Sequence, residues 1–211
     1  MVTVIAPGCH VSALTDSFVL GLPQLPTELW IPPKDSYWPA YSPQHLRLRL
    51  QQWLAAGPMG HVRAPLDHAL LFIGFSAGVV ASIGVARWWQ AQGGIVKACI
   101  AVDGWGVPLY GQFPIHRISH DRWTHASSQL LGGTEVSFYA DPGVEHLELW
   151  RSPHTTVGVS TAARPQFQPF TSVPRSQPSD QRGDRALQLA GTQITTAQFI
   201  HHLLQWYGEI V

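Results

Sequence analysis

Uninterrupted runs of apolar residues recur along the chain and predict the strands of a buried sheet. Val2–Ala6, Leu70–Ile73 and Val96–Val102 contain almost no polar positions, which is typical of parallel strands covered on both faces. A glycine or a proline directly follows the first two runs, as expected where a strand ends in a turn. Shorter candidate strands are Glu28–Ile31, Pro114–Ile118 and Val136–Ala140. Val136–Ala140 is predicted to be the last strand of the chain.

Helical spacing appears between these strands. Behind the capping residue Ser42 and up to Gly57, leucine and tryptophan side chains recur at the intervals of a helix. The other predicted helices are Ser76–Gln92, Trp123–Leu131 and Thr195–Tyr207. This alternation predicts an α/β fold with a mostly parallel central sheet flanked by helices on both faces.

Chain length and composition favour one globular domain. The 211 residues, of which 45% are hydrophobic and 12% charged, suffice for one core and are few for two. We therefore expect a single domain over 1–211. It includes a flexible excursion at about 163–187, because Pro165–Arg185 is rich in proline, serine, glutamine and arginine.

Charge and cysteine content exclude several classes of protein. Thirteen basic residues balance 13 acidic ones, and no basic cluster suits a nucleic acid. Cys9 and Cys99 both lie next to or in predicted strands and lack the spacing of a zinc site or a disulfide framework. No apolar stretch is long enough for a membrane span, and the first residues do not form a signal peptide. A cytoplasmic location is expected.

The pattern Gly-x-Ser-x-Gly at Gly74–Gly78 carries the strongest chemical signal. It joins the apolar strand to the following helix, and a sharp turn there would hold the Ser76 hydroxyl above the carboxyl edge of the sheet. Side chains at either glycine would collide with their surroundings in such a turn. The amide of Ala77 would begin the helix and face a developing oxyanion.

With this motif in its strand-turn-helix context, the chain resembles the α/β-hydrolase family over most of its length, as a small member without a lid. The resemblance implies a serine hydrolase with a catalytic triad, in the order serine, acid, histidine. In this family a glycine turn after the first long strand donates the second oxyanion N–H. Cys9 occupies that position here, with His10 as its neighbour.

A serine nucleophile needs a histidine base and a carboxylate to orient it. The segment DPGVEHLELW resembles the loop after the last strand in many hydrolases, which gives His146 as the base. The segment FPIHRISHD resembles the strand and turn that carry the acid, which gives Asp121. Two alternatives remain open: Asp103 at the end of its strand as the acid, and His154 as the base if HLELW is the last strand.

These residues predict hydrolysis of a carboxylic ester or thioester through an acyl-enzyme on Ser76. His10 and four aromatic residues on loops near the sheet edge are candidates for an apolar substrate pocket, the four being Trp105, Tyr110, Phe113 and Trp123. An inactive scaffold or assembly protein and an acyltransferase with the same triad are the alternatives. No cofactor is expected, because phosphate-binding glycine loops are missing and His120, Asp121 and His125 lack a third ligand element for a metal.

Overall fold

A sheet of eight strands forms the centre of the computed structural model, which describes residues 1–33, 39–57, 64–133, 135–162 and 191–210. The strands are β1 Val2–Ala6, β2 Leu29–Trp30, β3 Leu70–Phe75, β4 Val96–Val102, β5 Ile115–Ser119, β6 Ser137–Ala140, β7 Val157–Thr161 and β8 Gln193–Thr195. Their order across the sheet is β2-β1-β3-β4-β5-β6-β7-β8. Pairings from β2 to β6 are parallel, and β7 and β8 join antiparallel.

Six helices connect and cover these strands within the described residues. They are α1 Ser12–Leu20, α2 Pro43–Ala55, α3 Ala77–Ala91, α4 Arg122–Ser128, α5 His146–Arg151 and α6 Thr196–Tyr207. The predicted cap is confirmed at Ser42, whose side chain accepts a hydrogen bond from the His45 amide at 3.3 Å. In the described ranges, no helix has both the length and the apolar character needed to cross a bilayer.

The sheet separates two apolar clusters, one on each face. Leu70 and Phe72 point into the cluster with α2 and α3, whereas Leu71, Ile73 and Phe75 point into the cluster with α1, α5 and α6. Successive side chains of a strand alternate between faces, and apolar residues at every position of β3 therefore serve both clusters. The predicted α/β class, with a mostly parallel sheet and helices on both faces, is confirmed.

Several elements differ from the sequence expectations. Helix α1 was not predicted, because it has only nine residues and no side chain caps it. The strand ending at Ala140 is not the last, since β7 and β8 follow it. Two of the five residues of β7 are buried and none of the three residues of β8, so that their apolar signal is weak. The predicted excursion at about 163–187 lies outside the described residues.

The two cysteines occupy different surroundings. Cys99 is buried within β4, and burial raises its pKa to about 12, so that this thiol stays protonated at neutral pH. Cys9 lies in the turn after β1 and is exposed. Both residues are within the described part of the chain and are free thiols.

Candidate active site

Ser76 occupies a strained turn between β3 and α3. Its backbone has φ 52° and ψ −120°, a region that residues with a side chain rarely adopt. The turn is held by the Ser76 amide, which donates to the Val102 carbonyl at 2.9 Å, and by the Val79 amide, which donates to the Ser76 carbonyl at 3.0 Å. The Ser76 side chain does not cap α3, all of whose residues are described. The Ser76 hydroxyl is therefore not used in a hydrogen bond to the start of α3.

The two glycines of the motif allow this turn to pack closely. A Cβ on Gly78 would lie 2.0 Å from the Ala6 carbonyl oxygen, and one on Gly74 would lie 2.7 Å from Ser82 Oγ. Both distances are far below van der Waals contact. The pattern around Ser76 thus follows from the close approach of α3 to β1 and β3, as the sequence predicted.

Asp103 is the first residue after β4, next to β3 in the sheet. Its side chain is 1% exposed, and its backbone has φ 53°, which aspartate tolerates better than most residues. His146 Nδ1 lies 2.5 Å from Asp103 Oδ2, and His120 Nδ1 lies 2.7 Å from the same oxygen. Because a carboxylate only accepts hydrogen bonds, both rings carry a proton on the Nδ1 that faces it.

The carboxylate in contact with His146 Nδ1 is that of Asp103, the alternative acid, and not that of Asp121 as expected. Asp121 instead caps α4, where its Oδ1 accepts from the Thr124 amide at 2.6 Å. Residues at the start of a helix present free amides, and these take up a carboxylate placed there. Partial burial acts to raise the pKa of Asp121, but the bonds from Thr124 and the neighbouring His120 outweigh it, so that this pKa lies below its ordinary value.

His146 is the first residue of α5 and contacts Phe75, the residue before Ser76. Its ring stacks on that of Phe75, with centroids 4.9 Å apart. A cleft of about 430 Å³ is lined by Ser76, Asp103, Trp105, His120, Asp121, Trp123, Thr124 and His146. Among the described residues, no hydrogen bond joins the Ser76 hydroxyl to an imidazole. Such contacts often tighten only when substrate binds.

The turn after β1 packs directly against the Ser76 turn. A Cβ on Gly8 would lie 3.0 Å from Ser76 Cβ, so that Cys9 follows a residue in contact with the serine. Ala77 begins α3, and the first amides of a helix have no acceptor inside it. The oxyanion roles of Cys9 and Ala77 stay predictions.

Two of the residues predicted for a substrate pocket line the cleft. Trp105 is 60% exposed and Trp123 69%, and their ring centroids are 6.1 Å apart. Trp105 Nε1 donates to Ser127 Oγ at 3.3 Å. Arg117 stabilises the loop that carries Trp105, because its guanidinium donates a hydrogen bond to the Val107 carbonyl at 3.1 Å. The cleft thus has an aromatic wall.

The other predicted pocket residues lie elsewhere. Phe113 is buried in the core cluster of α2 and α3, two residues before the strand β5. Tyr110 is exposed and packs against the Arg87 guanidinium, whose Cζ lies 5.4 Å from the ring centroid. The His10 ring contacts Phe75 on the face opposite α3, and its Nδ1 pairs with the carbonyl of the next residue.

His154, the alternative base, belongs to a different cavity. That cavity, of about 730 Å³, is lined by residues of α1, α5 and the start of α6. The segment HLELW, which would have had to be the last strand, lies in the helix α5. Of the two candidate bases, both of which the structure describes, His146 shares a cleft with Ser76 and His154 does not line it.

Sequence reasoning missed the contact of His120 with Asp103. Parallel neighbouring strands end at one edge of a sheet, and Val102 pairs with Ile118. The residues that follow β4 and β5 are therefore close in space. A histidine at the end of the strand beside Asp103 was the available signal.

Asp103, His120 and His146 also form a group that could hold a metal ion, with one ligand atom of each within 4.8 Å of the others. The donor types suit zinc. However, the nitrogens lie 2.5–2.8 Å from the carboxylate oxygens, whereas ligands of a tetrahedral zinc ion at about 2.0 Å are roughly 3.3 Å apart. These contacts have the length of hydrogen bonds.

No model of a known protein family matches this chain, and no curated protein is significantly similar to it. Function therefore rests on the chemistry of the cleft. The cleft holds a serine, two histidines and a buried carboxylate, which are residue types that can serve as a nucleophile, a base and a group that orients the base.

Proposed function

We propose that this protein is a serine hydrolase that cleaves a carboxylic ester or thioester through an acyl-enzyme on Ser76. One observation carries the proposal: the strained serine shares a cleft with His146, whose Nδ1 is bound by the buried carboxylate of Asp103. A nucleophile, a base and a group that orients the base are the three parts required for acyl transfer from a serine. The resemblance to α/β-hydrolases rests on the motif around Ser76 and on the segment that contains His146, and it supports the same proposal.

In the first half-reaction the Ser76 oxygen attacks the substrate carbonyl carbon while its proton passes to His146 Nε2. The tetrahedral intermediate then expels the alcohol or thiol, which takes that proton from His146. In the second half, His146 removes a proton from water as the water oxygen attacks the acyl carbon. The bond from that carbon to the Ser76 oxygen then breaks, His146 returns the proton to Ser76, and the acid is released. The Asp103 carboxylate stabilises the imidazolium that forms in each half.

The oxyanion requires donors on the side of the serine away from the base. We assign this role to the amides of Ala77 and Cys9. The first lies at the start of α3, where the helix dipole favours negative charge. The second follows Gly8, which packs against Ser76. Two preorganised amides contribute several kcal/mol, because removal of a single donor costs about 3 kcal/mol in related systems.

The substrate carries an apolar group on the acyl or alcohol side. Trp105 and Trp123 line the cleft and are largely exposed, and exposed aromatic surface of this kind favours apolar ligands. With only 17 residues between Asp103 and Asp121, there is no room in this loop for a large helical lid. We therefore propose a substrate that enters from open solvent.

Ser76→Ala is the decisive variant. Wild type should hydrolyse p-nitrophenyl esters or acyl thioesters and become covalently labelled by a fluorophosphonate at Ser76. The variant should lose both properties and keep the wild-type circular dichroism spectrum. Ser17→Ala is the matched control, because the Ser17 hydroxyl donates to the Ala13 carbonyl within α1, and it should behave as wild type.

Labelling and turnover together distinguish the alternatives. A scaffold that lacks activity would show neither, and this result would contradict the proposal. Labelling with faster turnover when a short alcohol is added would identify transfer to the alcohol, which product analysis would detect as a new ester. Undiminished hydrolysis by Ser76→Ala would also contradict it.

A further inference from the structure

A second histidine, His120, contacts the Asp103 carboxylate in the cleft. His120 Nδ1 lies 2.8 Å from Asp103 Oδ1 and 2.7 Å from Oδ2, and the His120 main-chain amide donates to Oδ1 at 3.2 Å. The rings of His120 and His146 are nearly perpendicular, at 82°, with centroids 6.1 Å apart. The reaction steps above use only the bond between Asp103 and His146, so the contacts of His120 have no role in them.

The ring of His120 is itself fixed from behind by the start of α4. Its Nε2 lies 3.4 Å from Asp121 Oδ2 and 3.4 Å from Thr124 Oγ1. The other oxygen of Asp121 caps the helix, and Thr124 is buried. The start of α4 therefore positions the ring of His120, which in turn contacts the Asp103 carboxylate.

We propose that His120 is a positioning residue, which fixes the Asp103 carboxylate in the orientation in which its Oδ2 accepts from His146. This inference rests on the proposed function, since the orientation of Asp103 matters to turnover only if His146 is the base. The last torsion of an aspartate is broad. Two donors from one residue, the main-chain amide and Nδ1, restrict that torsion and satisfy a buried charge.

Two amide substitutions test the role without removing a large side chain. The Asn side-chain nitrogen can take the place of Nδ1, whereas the Gln nitrogen lies farther out, near the place of Nε2. We expect His120→Gln to lower kcat about 10-fold to 100-fold with little change in KM, as found for residues that orient catalytic ligands. His120→Asn should restore kcat to within about threefold of wild type.

The pH profile separates positioning from a purely structural role. Asp103, Asp121 and His146 are the titratable groups that face His120. In His120→Gln a misaligned carboxylate stabilises the His146 imidazolium less, so the acidic limb of kcat/KM should move to lower pH. His125→Gln is the matched control, because His125 is a more buried histidine of the same segment that contacts Gln129. It should leave the limb in place.

Three results would overturn the role of His120. They are wild-type kcat and pH profile in His120→Gln, equal losses in the Asn and Gln variants, or activity of wild type that chelators abolish and zinc restores. In each case, loss of labelling and turnover in Ser76→Ala would leave the proposed function intact. Full activity of Ser76→Ala would instead reject the proposed function itself.

Discussion

The rings of Phe75 and His146 lie face to face, with centroids 4.9 Å apart and planes at 21°. Phe75 is the residue before the nucleophile and is fully buried. It also stacks on Trp150, at 4.8 Å, within the same helix that His146 begins. The strand that presents the serine and the helix that presents the histidine are thus joined by one aromatic stack, so that their separation is set by packing.

We expect Phe75→Leu to impair turnover more than stability. Leucine fills most of the space, so the free energy of unfolding should fall by about 1–2 kcal/mol. It provides no flat surface for the His146 ring, and a base that is displaced by about 1 Å can lose roughly 100-fold in kcat. Urea unfolding and ester hydrolysis on the same preparation measure the two effects. Phe138→Leu, in the core away from the cleft, is the control and should lose stability alone.

The two aspartates near the base should respond very differently to amide substitution. Asp103→Asn keeps the shape but turns a donor toward an Nδ1–H, so kcat should fall by about 10³-fold to 10⁴-fold. Asp121→Asn preserves a good helix cap and should change kcat by less than about tenfold. Ester hydrolysis at saturating substrate measures both. Comparable losses in the two variants, or a larger loss for Asp121→Asn, would return Asp121 to the role that the sequence favoured.

Local patterns predicted most of the sheet because each apolar run is explained by its own burial. The same holds for the Ser76 turn, whose glycines, strand and helix are all neighbours in sequence. The partner of His146 could not be obtained this way. Asp103 and Asp121 both follow strands, and the choice between them depends on which carboxylate the first amides of α4 take up. That competition is settled in three dimensions.

Burial of His116 predicts a loss of stability in acid. Its Nδ1 pairs with the Val136 carbonyl and its Nε2 with the Tyr207 hydroxyl, both at 2.8 Å. Burial lowers the pKa of His116 from 6.5 to about 4, although the bond to Val136 opposes the shift. Between these values the unfolded chain binds a proton that the folded chain does not. The free energy of unfolding should therefore decrease as the pH falls through this range, by about 3 kcal/mol at most.

Urea titrations between pH 7 and pH 4 measure this contribution. His116→Gln should show a flatter dependence than wild type over that range, and the exposed control His154→Gln should show the wild-type slope. Equal slopes in all three proteins would mean that His116 is protonated in the folded state.

The aromatic wall of the cleft predicts a preference for long apolar substrates, which chain length can reveal. Trp105→Ala and Trp123→Ala should each lower kcat/KM about tenfold for a p-nitrophenyl octanoate, because each ring contributes roughly 1–2 kcal/mol of apolar contact. Neither change should matter for the acetate, whose acyl group has little apolar surface to place against the rings. Tyr110→Ala is the matched control, since Tyr110 is also an exposed aromatic but lies against Arg87, outside the cleft. Equal losses on both esters would indicate that the tryptophans support the loop and do not contact substrate.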